Sequence, residues 1–201
     1  RGFGEDFYAL LSFTGQQYYG MSYMQGIDRD RNVNEGMMWL KKAADQGEKE
    51  AASELGPYYE EFGQYSDAEK YLLKACTLGG NFAYFNLGNH YMALDNAQMA
   101  EKYYKLAINL GPKGQVESIH NLNILYVRQM RITDSLVILR KGAEKYNDPY
   151  SQARLGEILY MFGANCDEHP SQKDKSEGKK WIEKGAAGGD SYAIQLLSEI
   201  K

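Results

Sequence analysis

Candidate metal ligands and nucleophiles of this sequence concentrate in one polar stretch near its C-terminal end. Residues 166–169 read Cys-Asp-Glu-His, so Cys166 and His169 would approach each other if the chain curls there. Thiolate and imidazole are common zinc ligands, but no second pair of such residues is spaced to complete a four-ligand site. We therefore expect a solvated loop, and keep a hydrolase or metal-dependent activity that uses this region as an alternative.

Two other groups of residues have the types required for acid–base or nucleophilic catalysis. Ser176 and Lys179 have the Ser-x-x-Lys spacing at which an amine can activate a hydroxyl group. The companion motifs of enzymes that use this pair are absent, and Ser176 stands where a helix is expected to begin, which favours helix capping. His90 and His120 have no serine or acid spaced to form a triad, so we expect them at the surface or in a groove. The sequence predicts no catalysis, no metal site and no cofactor.

The composition argues against several classes of partner. The chain has 201 residues, 43% of them apolar, enough for a sizeable core. Its 23 Lys and Arg against 27 Asp and Glu give a net charge of -4, so we expect no nucleic acid partner. No window reaches the about 18 consecutive apolar residues of a membrane span. The two cysteines make no disulfide framework, and no targeting signal is recognised from Arg1 onward, so no compartment is predicted.

One short pattern returns five times along the chain. A small residue follows tyrosine or leucine at intervals of about 32 to 36 residues: Gly20, Gly56, Gly88, Asn123 and Gly156. A large side chain follows each of them one helical turn later. Further on, an aromatic residue or isoleucine precedes a small residue by four positions in every unit, which indicates a second helix. The sequence therefore predicts five helical hairpins.

The glycines of this pattern indicate how the two helices of a hairpin pack. A glycine inside a helix costs about 1 kcal/mol relative to alanine, so its return at one position indicates close approach of the second helix. The fourth unit departs, with Asn123 and Ser135 where the others have Gly and Ala. Four glycines follow second helices at positions suited to a left-handed cap: Gly47, Gly79, Gly111 and Gly189.

Several units resemble the repeats of a known family. Residues 19–47 carry Tyr-Gly-x-x-Tyr-x-x-Gly and end in Ala-Ala-Asp-Gln-Gly, and residues 155–189 are similar; both resemble a Sel1-like repeat. The middle units resemble tetratricopeptide (TPR) repeats at Tyr84, Leu87, Gly88, Tyr91, Ala100, Tyr104, Ala107 and Pro112. The resemblance implies an all-α fold, a right-handed α-α superhelix or solenoid of stacked helix pairs. It also implies a non-catalytic adaptor or scaffold for proteins.

This interpretation makes the chain a single domain, residues 1–201, with no linker. Its repeats would cover about 12–47, 48–79, 80–111, 112–147 and 148–189, followed by a C-terminal capping helix at 190–201. Each hairpin would bury its apolar faces against its neighbours. The ends of such a stack are unpaired, so a self-assembling structural role is a further alternative.

A partner protein or peptide is expected in the concave groove that first helices line in TPR proteins. The groove positions in units three to five are Phe82, Phe85, Asn89, Met92, Glu117, His120, Ile124, Val127, Tyr150, Ala153, Glu157 and Tyr160. Units one and two add Gln17, Met21, Met24, Glu50, Ser53 and Glu60. A partner would gain about 1.5 to 3 kcal/mol for each large apolar side chain that it buries. The alternative is that adjacent units bury these residues against each other without a ligand.

Overall fold

A computed structural model describes residues 13–27, 29–111, 113–165 and 170–200. Within these ranges the chain forms eleven α-helices and no β-strand, which confirms the all-α prediction. None of these helices combines the length and apolar character that crossing a membrane requires. The helices are α1 (Phe13–Gln25), α2 (Val33–Asp45), α3 (Lys49–Glu61), α4 (Tyr65–Thr77), α5 (Ala83–Ala93), α6 (Ala97–Leu110), α7 (Gln115–Arg128), α8 (Ile132–Lys145), α9 (Pro149–Phe162), α10 (Gln172–Ala187) and α11 (Ser191–Glu199).

The structure divides into two compact units, Arg1–Gly114 and Gln115–Lys201. In the first unit α1 packs on α2, α3 on α4 and α5 on α6. In the second, α7 packs on α8 and α9 on α10, and α11 packs on α10. Five helical hairpins and a final helix therefore form, as the repeated pattern predicts. That the whole chain is one continuous domain stays a prediction.

Close packing at the repeated glycine is confirmed in both units. A Cβ added at Gly88 would lie 2.5 Å from a ring carbon of Tyr104 on the facing helix. A Cβ at Gly156 would lie 2.6 Å from the carbonyl oxygen of Gly178, and one at Gly178 would lie 2.7 Å from the carbonyl oxygen of Gly156. Helices α9 and α10 thus touch backbone to backbone, which no residue with a side chain permits.

Three of the four predicted glycine caps have the left-handed backbone. Gly47, Gly79 and Gly189 have φ of 99°, 70° and 90°. The prediction is wrong for Gly111, which is extended, with φ -66° and ψ 140°. The ring of the following Pro112 disfavours the helical region for the residue before it, and this explains the extended conformation.

The start of α10 also differs from the sequence expectation. The hydroxyl of Ser171 accepts a hydrogen bond from the backbone N–H of Asp174, whose carboxylate accepts one from the backbone N–H of Ser171. This capping box starts the helix at Gln172. Ser176 therefore does not cap α10 but lies exposed inside it, as does Lys179.

His90 lies in the core of the first unit rather than at the surface or in a groove, so that expectation is wrong. Its side chain is fully buried, and its Nδ1 lies 2.7 Å from a carboxylate oxygen of Glu60. The physical reason is that α5 packs against α3 as well as against its own hairpin partner. The Glu60 carboxylate on α3 supplies a polar partner for Nδ1 of this buried imidazole.

Candidate binding groove

An apolar groove of about 570 Å³ runs between α7 and α9 of the second unit. We call it the α7–α9 groove. Its apolar lining is Ile124, Val127, Met130, Ile132, Tyr150, Ile158 and Phe162. Its polar lining is Asn123, Arg128, Arg154 and Glu157. Ile124 and Val127 remain 41% and 43% exposed and Phe162 52%, so adjacent apolar side chains stay open to solvent.

The two departures of the fourth repeat form a hydrogen-bonded network at the base of this groove. The Ser135 hydroxyl on α8 donates to Asn123 Oδ1 on α7 at 2.6 Å. Asn123 Nδ2 in turn donates to the phenol oxygen of Tyr150 on α9 at 3.0 Å. Asn123 is buried and Ser135 fully so. The network therefore satisfies buried polar groups and fixes the Tyr150 ring, which forms part of the groove wall.

A second set of polar contacts joins the two helices that wall the groove. His120 Nε2 on α7 lies 2.8 Å from Oδ2 of Asp148, the N-cap residue of α9. The same oxygen accepts hydrogen bonds from the hydroxyl of Ser151 at 2.6 Å and from its backbone N–H at 2.8 Å. Burial alone would raise the pKa of Asp148, but the hydrogen bonds from His120 and Ser151 outweigh it and lower that pKa. Asp148 therefore stays ionised and holds α9 beside α7.

Histidine, aspartate and serine meet here, but not in catalytic order. In a triad the histidine lies between the serine and the acid, where it can take the proton of the serine. Here Asp148 lies between the histidine and the serine, and the Ser151 hydroxyl donates a hydrogen bond to the carboxylate rather than to His120. Ser151 is also fully buried. This arrangement caps a helix and supplies no nucleophile.

An ion pair occupies the α9 wall of the groove. Arg154 Nη1 lies 3.1 Å from Glu157 Oε2, and the Tyr192 hydroxyl donates to the other Glu157 oxygen at 2.5 Å. The Arg154 guanidinium lies 3.9 Å from the centre of the Tyr192 ring. On the opposite wall, Arg128 is exposed and has no acidic partner within the part of the chain that the structure describes.

Met130, at the end of the groove, has a backbone conformation that favours glycine. Its φ is 59°, and its side chain is 81% exposed. The equivalent turns after α3 and α9 have glycine, Gly63 and Gly163, in the same left-handed region. A non-glycine residue costs about 1 to 2 kcal/mol there. A large apolar side chain is thus held in solvent at the mouth of the groove, in spite of strain.

Replacing Met130 by glycine is expected to raise the free energy of unfolding of the second unit by about 1 kcal/mol, because the strain is relieved. Urea unfolding measures this. Asp95→Gly is the matched control: Asp95 has a φ of 54° at the corresponding turn of the first unit, and aspartate tolerates this region better than methionine, so a smaller gain is expected. A loss of stability in Met130→Gly would mean that contacts of the methionine outweigh its strain.

Of the groove residues predicted in the second unit, the structure brings four together. Ile124, Val127, Tyr150 and Glu157 line the α7–α9 groove. The ring of His120 lies at the edge, 4.2 Å from the ring of Tyr150 between centroids. Tyr160 lies elsewhere: it packs against the apolar cluster of Ala153, Ile182, Ala193, Leu196 and Ile200, beneath α11.

The groove residues predicted in the third repeat do not form a comparable surface. Phe85 is half-buried, with its ring centroid 6.3 Å from that of Tyr104, and Asn89 accepts a hydrogen bond from the Tyr104 hydroxyl at 2.8 Å. Met92 is half-buried. Phe82 lines a smaller depression of about 370 Å³, together with Glu50, Ser53, Glu54, Pro57, Asn81, Asn86 and Lys113.

Polar groups of that smaller depression largely bind each other. Asn81 Nδ2 donates to Glu50 at 3.0 Å, the Ser53 hydroxyl donates to the Asn81 carbonyl at 3.0 Å, and Asn86 Nδ2 donates to Ser53 Oγ at 3.2 Å. Of the other groove residues predicted in the first two repeats, Met24 is buried in the core with Met21 packed against it, Glu60 binds His90, and Gln17 is half-buried. Less apolar surface is therefore left open here than in the α7–α9 groove.

Sequence reasoning missed the remaining residues of the α7–α9 groove. On α9 the open face carries Arg154, Ile158 and Phe162, at four-residue spacing from Tyr150. The predicted face instead used positions 153 and 160, which turn into the core. The i, i+4, i+8 spacing of Tyr150, Arg154, Ile158 and Phe162 was the available signal.

The predicted loop site falls outside what the structure shows. Cys166 and His169 lie outside the described residues. In the described part of the chain, no three His, Cys, Asp or Glu side chains are grouped as a metal ion would require. Cys76 is free and half-buried, and burial raises its pKa to about 11, so its thiol is protonated at neutral pH.

Repeated helical hairpins held together by glycine contacts are typical of an α-helical repeat protein. Sequence comparison then specifies the family. The Sel1 repeat model matches residues 14–48, 49–80, 81–112 and 149–190, more than half of the chain. The chain therefore belongs to the Sel1 repeat family. The matched stretches contain hairpins α1–α2, α3–α4, α5–α6 and α9–α10; hairpin α7–α8, with Asn123 and Ser135, lies between the third and fourth. No curated protein matches the sequence.

Solved structures with similar folds are also helical repeat proteins. One is c5321, a protective antigen of uropathogenic Escherichia coli with an SLR fold: 23% identity, TM-score 0.73, covering 94% of this chain and 41% of that chain. A Sel1 repeat protein from Oxalobacter formigenes has 22% identity and a TM-score of 0.65, covering 94% and 76%. YrrB, a TPR protein with an unusual peptide-binding site, has 13% identity and a TM-score of 0.56, covering 94% and 92%.

These likenesses show that the fold belongs to the helical solenoids of the Sel1 and TPR type, as the sequence predicts. The chain spans 41% of the length of c5321. Repeats of this type are generally protein-interaction scaffolds and typically have no catalytic activity.

Proposed function

We propose that this chain is a non-catalytic interaction module that binds a peptide, or a segment of a partner protein, in the α7–α9 groove. The supporting observation is that Ile124, Val127 and Phe162 stay exposed around one apolar depression of about 570 Å³. A partner that buries such a side chain fully gains about 1.5 to 3 kcal/mol. An amphipathic helix or an extended segment has the shape for a groove between two helices.

The walls of the groove are fixed before any partner arrives, which favours binding. Tyr150 is held by Asn123, and Asp148 joins α9 to His120 on α7. A groove formed in advance binds with less loss of conformational entropy than one that must order on contact. That the similar protein YrrB has a peptide-binding site on a repeat fold is consistent with this role.

Charge placed on the groove wall is expected to prevent binding. In Ile124→Glu a carboxylate would have to be buried against an apolar partner surface, so recovery of a groove ligand should fall at least about tenfold. Pull-down from an extract of the source cells, with the bound proteins identified by mass spectrometry, measures recovery. A recovered protein supports the proposal only if a purified fragment of it then binds wild type and not Ile124→Glu.

The control variant is Ile194→Glu, which makes the same substitution at a 55% exposed position of α11 outside the groove lining. It should bind like wild type. Undiminished binding by a folded Ile124→Glu variant would remove the groove from the proposal.

A further inference from the structure

We infer that the segment bound in the α7–α9 groove is acidic as well as apolar, with a carboxylate that pairs with Arg128. This inference rests on the proposed function and specifies the chemistry of the partner. Val127 and Arg128 lie three and four residues after Ile124 on α7, and all three side chains line the groove. One face of the helix thus presents apolar surface with a guanidinium at its end.

The charges of the groove make Arg128 the cation open to a partner. Arg154 on the facing wall is already paired with Glu157 at 3.1 Å. Arg131, just beyond the groove, is paired with Asp134 at 2.7 Å. Arg128 has no such carboxylate within the described ranges, and its side chain is exposed.

The carboxylates beside the groove are engaged, which argues against a basic partner. Glu157 accepts from Arg154 and from the Tyr192 hydroxyl, and Asp148 accepts from His120 and Ser151. A lysine of a partner would have to displace one of these contacts. A carboxylate of a partner would gain two-pronged hydrogen bonding from the planar guanidinium of Arg128 at no such cost.

The geometry specifies a ligand pattern. A large apolar side chain enters between Ile124 and Ile158, and an Asp or Glu lies close to it in sequence, over Arg128. Electrostatic pairing at a partly exposed position contributes modestly to affinity, so the apolar side chain supplies most of the binding and the acid selects among apolar peptides.

Selection from a phage-displayed library of random peptides tests this pattern. The library is panned on the immobilised full chain, and in parallel on Ile124→Glu, Arg128→Gln and Arg128→Glu. Wild type should enrich peptides that combine Leu, Ile, Phe or Trp with a nearby Asp or Glu. Arg128→Gln should lose the preference for acid, and Arg128→Glu should shift it to Lys or Arg.

Affinities of synthetic peptides then give the size of the effect. The most enriched peptide is compared with its Glu→Gln or Asp→Asn counterpart by fluorescence polarisation. The acidic peptide should bind wild type about two- to fivefold more tightly, and Arg128→Gln should bind both equally. The difference in affinity of wild type for the acidic peptide and its amide counterpart should nearly vanish at about 1 M salt, where the Debye length is about 3 Å.

The possible outcomes distinguish the acidic partner from the groove function on which it rests. Apolar peptides with no acidic preference, whose binding is unchanged in Arg128→Glu, would overturn the acidic partner and leave the groove function standing. The absence of any enrichment over the Ile124→Glu background would overturn the groove function itself. Enrichment of basic peptides on wild type would show that Glu157 or Asp148 exchanges its partner, and would also overturn the inference.

Discussion

Replacing Gly156 by alanine is expected to lower the free energy of unfolding of the second unit by about 2 kcal/mol, although alanine is the better helix former. The added Cβ would lie 2.6 Å from the Gly178 carbonyl oxygen, 2.6 Å from Ile182 Cγ1 and 2.8 Å from the Ile182 backbone nitrogen. Backbone atoms cannot rotate aside, so α9 and α10 must separate. Overpacking costs typically about 1 to 3 kcal/mol, and more where the contact is backbone, against a propensity gain of about 0.5 to 1 kcal/mol.

Urea unfolding followed by tryptophan fluorescence measures this effect in the relevant unit. The chain has two tryptophans, so in a Trp39→Phe background Trp181 reports on the second unit. Gly56→Ala is the matched control, read through Trp39 in a Trp181→Phe background. Its Cβ would meet side-chain carbons of Leu72, which can change rotamer, so a smaller loss is expected. Equal losses, or a stabilised Gly156→Ala variant, would contradict backbone contact as the basis of the hairpin.

Replacing Asp148 by alanine is expected to cost about 2 to 3 kcal/mol, because one carboxylate oxygen accepts three hydrogen bonds. Loss of the helix cap costs about 1 kcal/mol. The hydroxyl of fully buried Ser151 would also lose its acceptor, which costs about 1 to 3 kcal/mol, and His120 would lose its link to α9. Asp190→Ala is the control, since Asp190 caps α11 through one bond to the Ala193 N–H at 2.8 Å. About 1 kcal/mol is expected there.

Acid should abolish the difference between wild type and Asp148→Ala. The pKa of Asp148 is lower in the folded chain than its ordinary value of 3.8. A carboxylate with a lowered folded pKa contributes stability that is present above the unfolded value and is lost as the pH falls through the folded value. The free-energy difference should therefore shrink as the pH falls below about 4. A difference that persists at lower pH would show that the protonated side chain makes the same contacts.

The repeated hairpin was predictable because its signals are local and recur. Gly20, Gly56, Gly88 and Gly156 return in one register, and each is followed one turn later by a large side chain. Because close packing of two helices admits only a very small residue at such a position, the glycine recurs visibly along the sequence. Two local predictions were wrong. Gly111 is extended rather than left-handed because Pro112 follows it, and Ser176 does not cap α10 because Ser171 caps the helix earlier in the sequence.

The groove was only partly predictable, because helical spacing gives a face but not its exact direction. Ile124 and Tyr150, two of the predicted groove positions, line the α7–α9 groove. The prediction also assigned Ala153 and Tyr160 to that face. In the structure α9 is turned by about one residue relative to the prediction, and both side chains pack into the core. Which side of α9 stays open depends on where α10 and α11 pack, and that is set by contacts distant in sequence.

The sequence by itself determined the helix pairs, the glycine contacts and the family, since all three depend on residues within about three dozen positions of each other. Only the tertiary structure decided that Asn123, Ser135 and Tyr150 form one network, that Asp148 joins His120 to α9, and that Arg128 stays open beside an apolar surface. Those relations arise between helices, where distance and direction depend on how the backbones pack, and a one-dimensional pattern does not encode them.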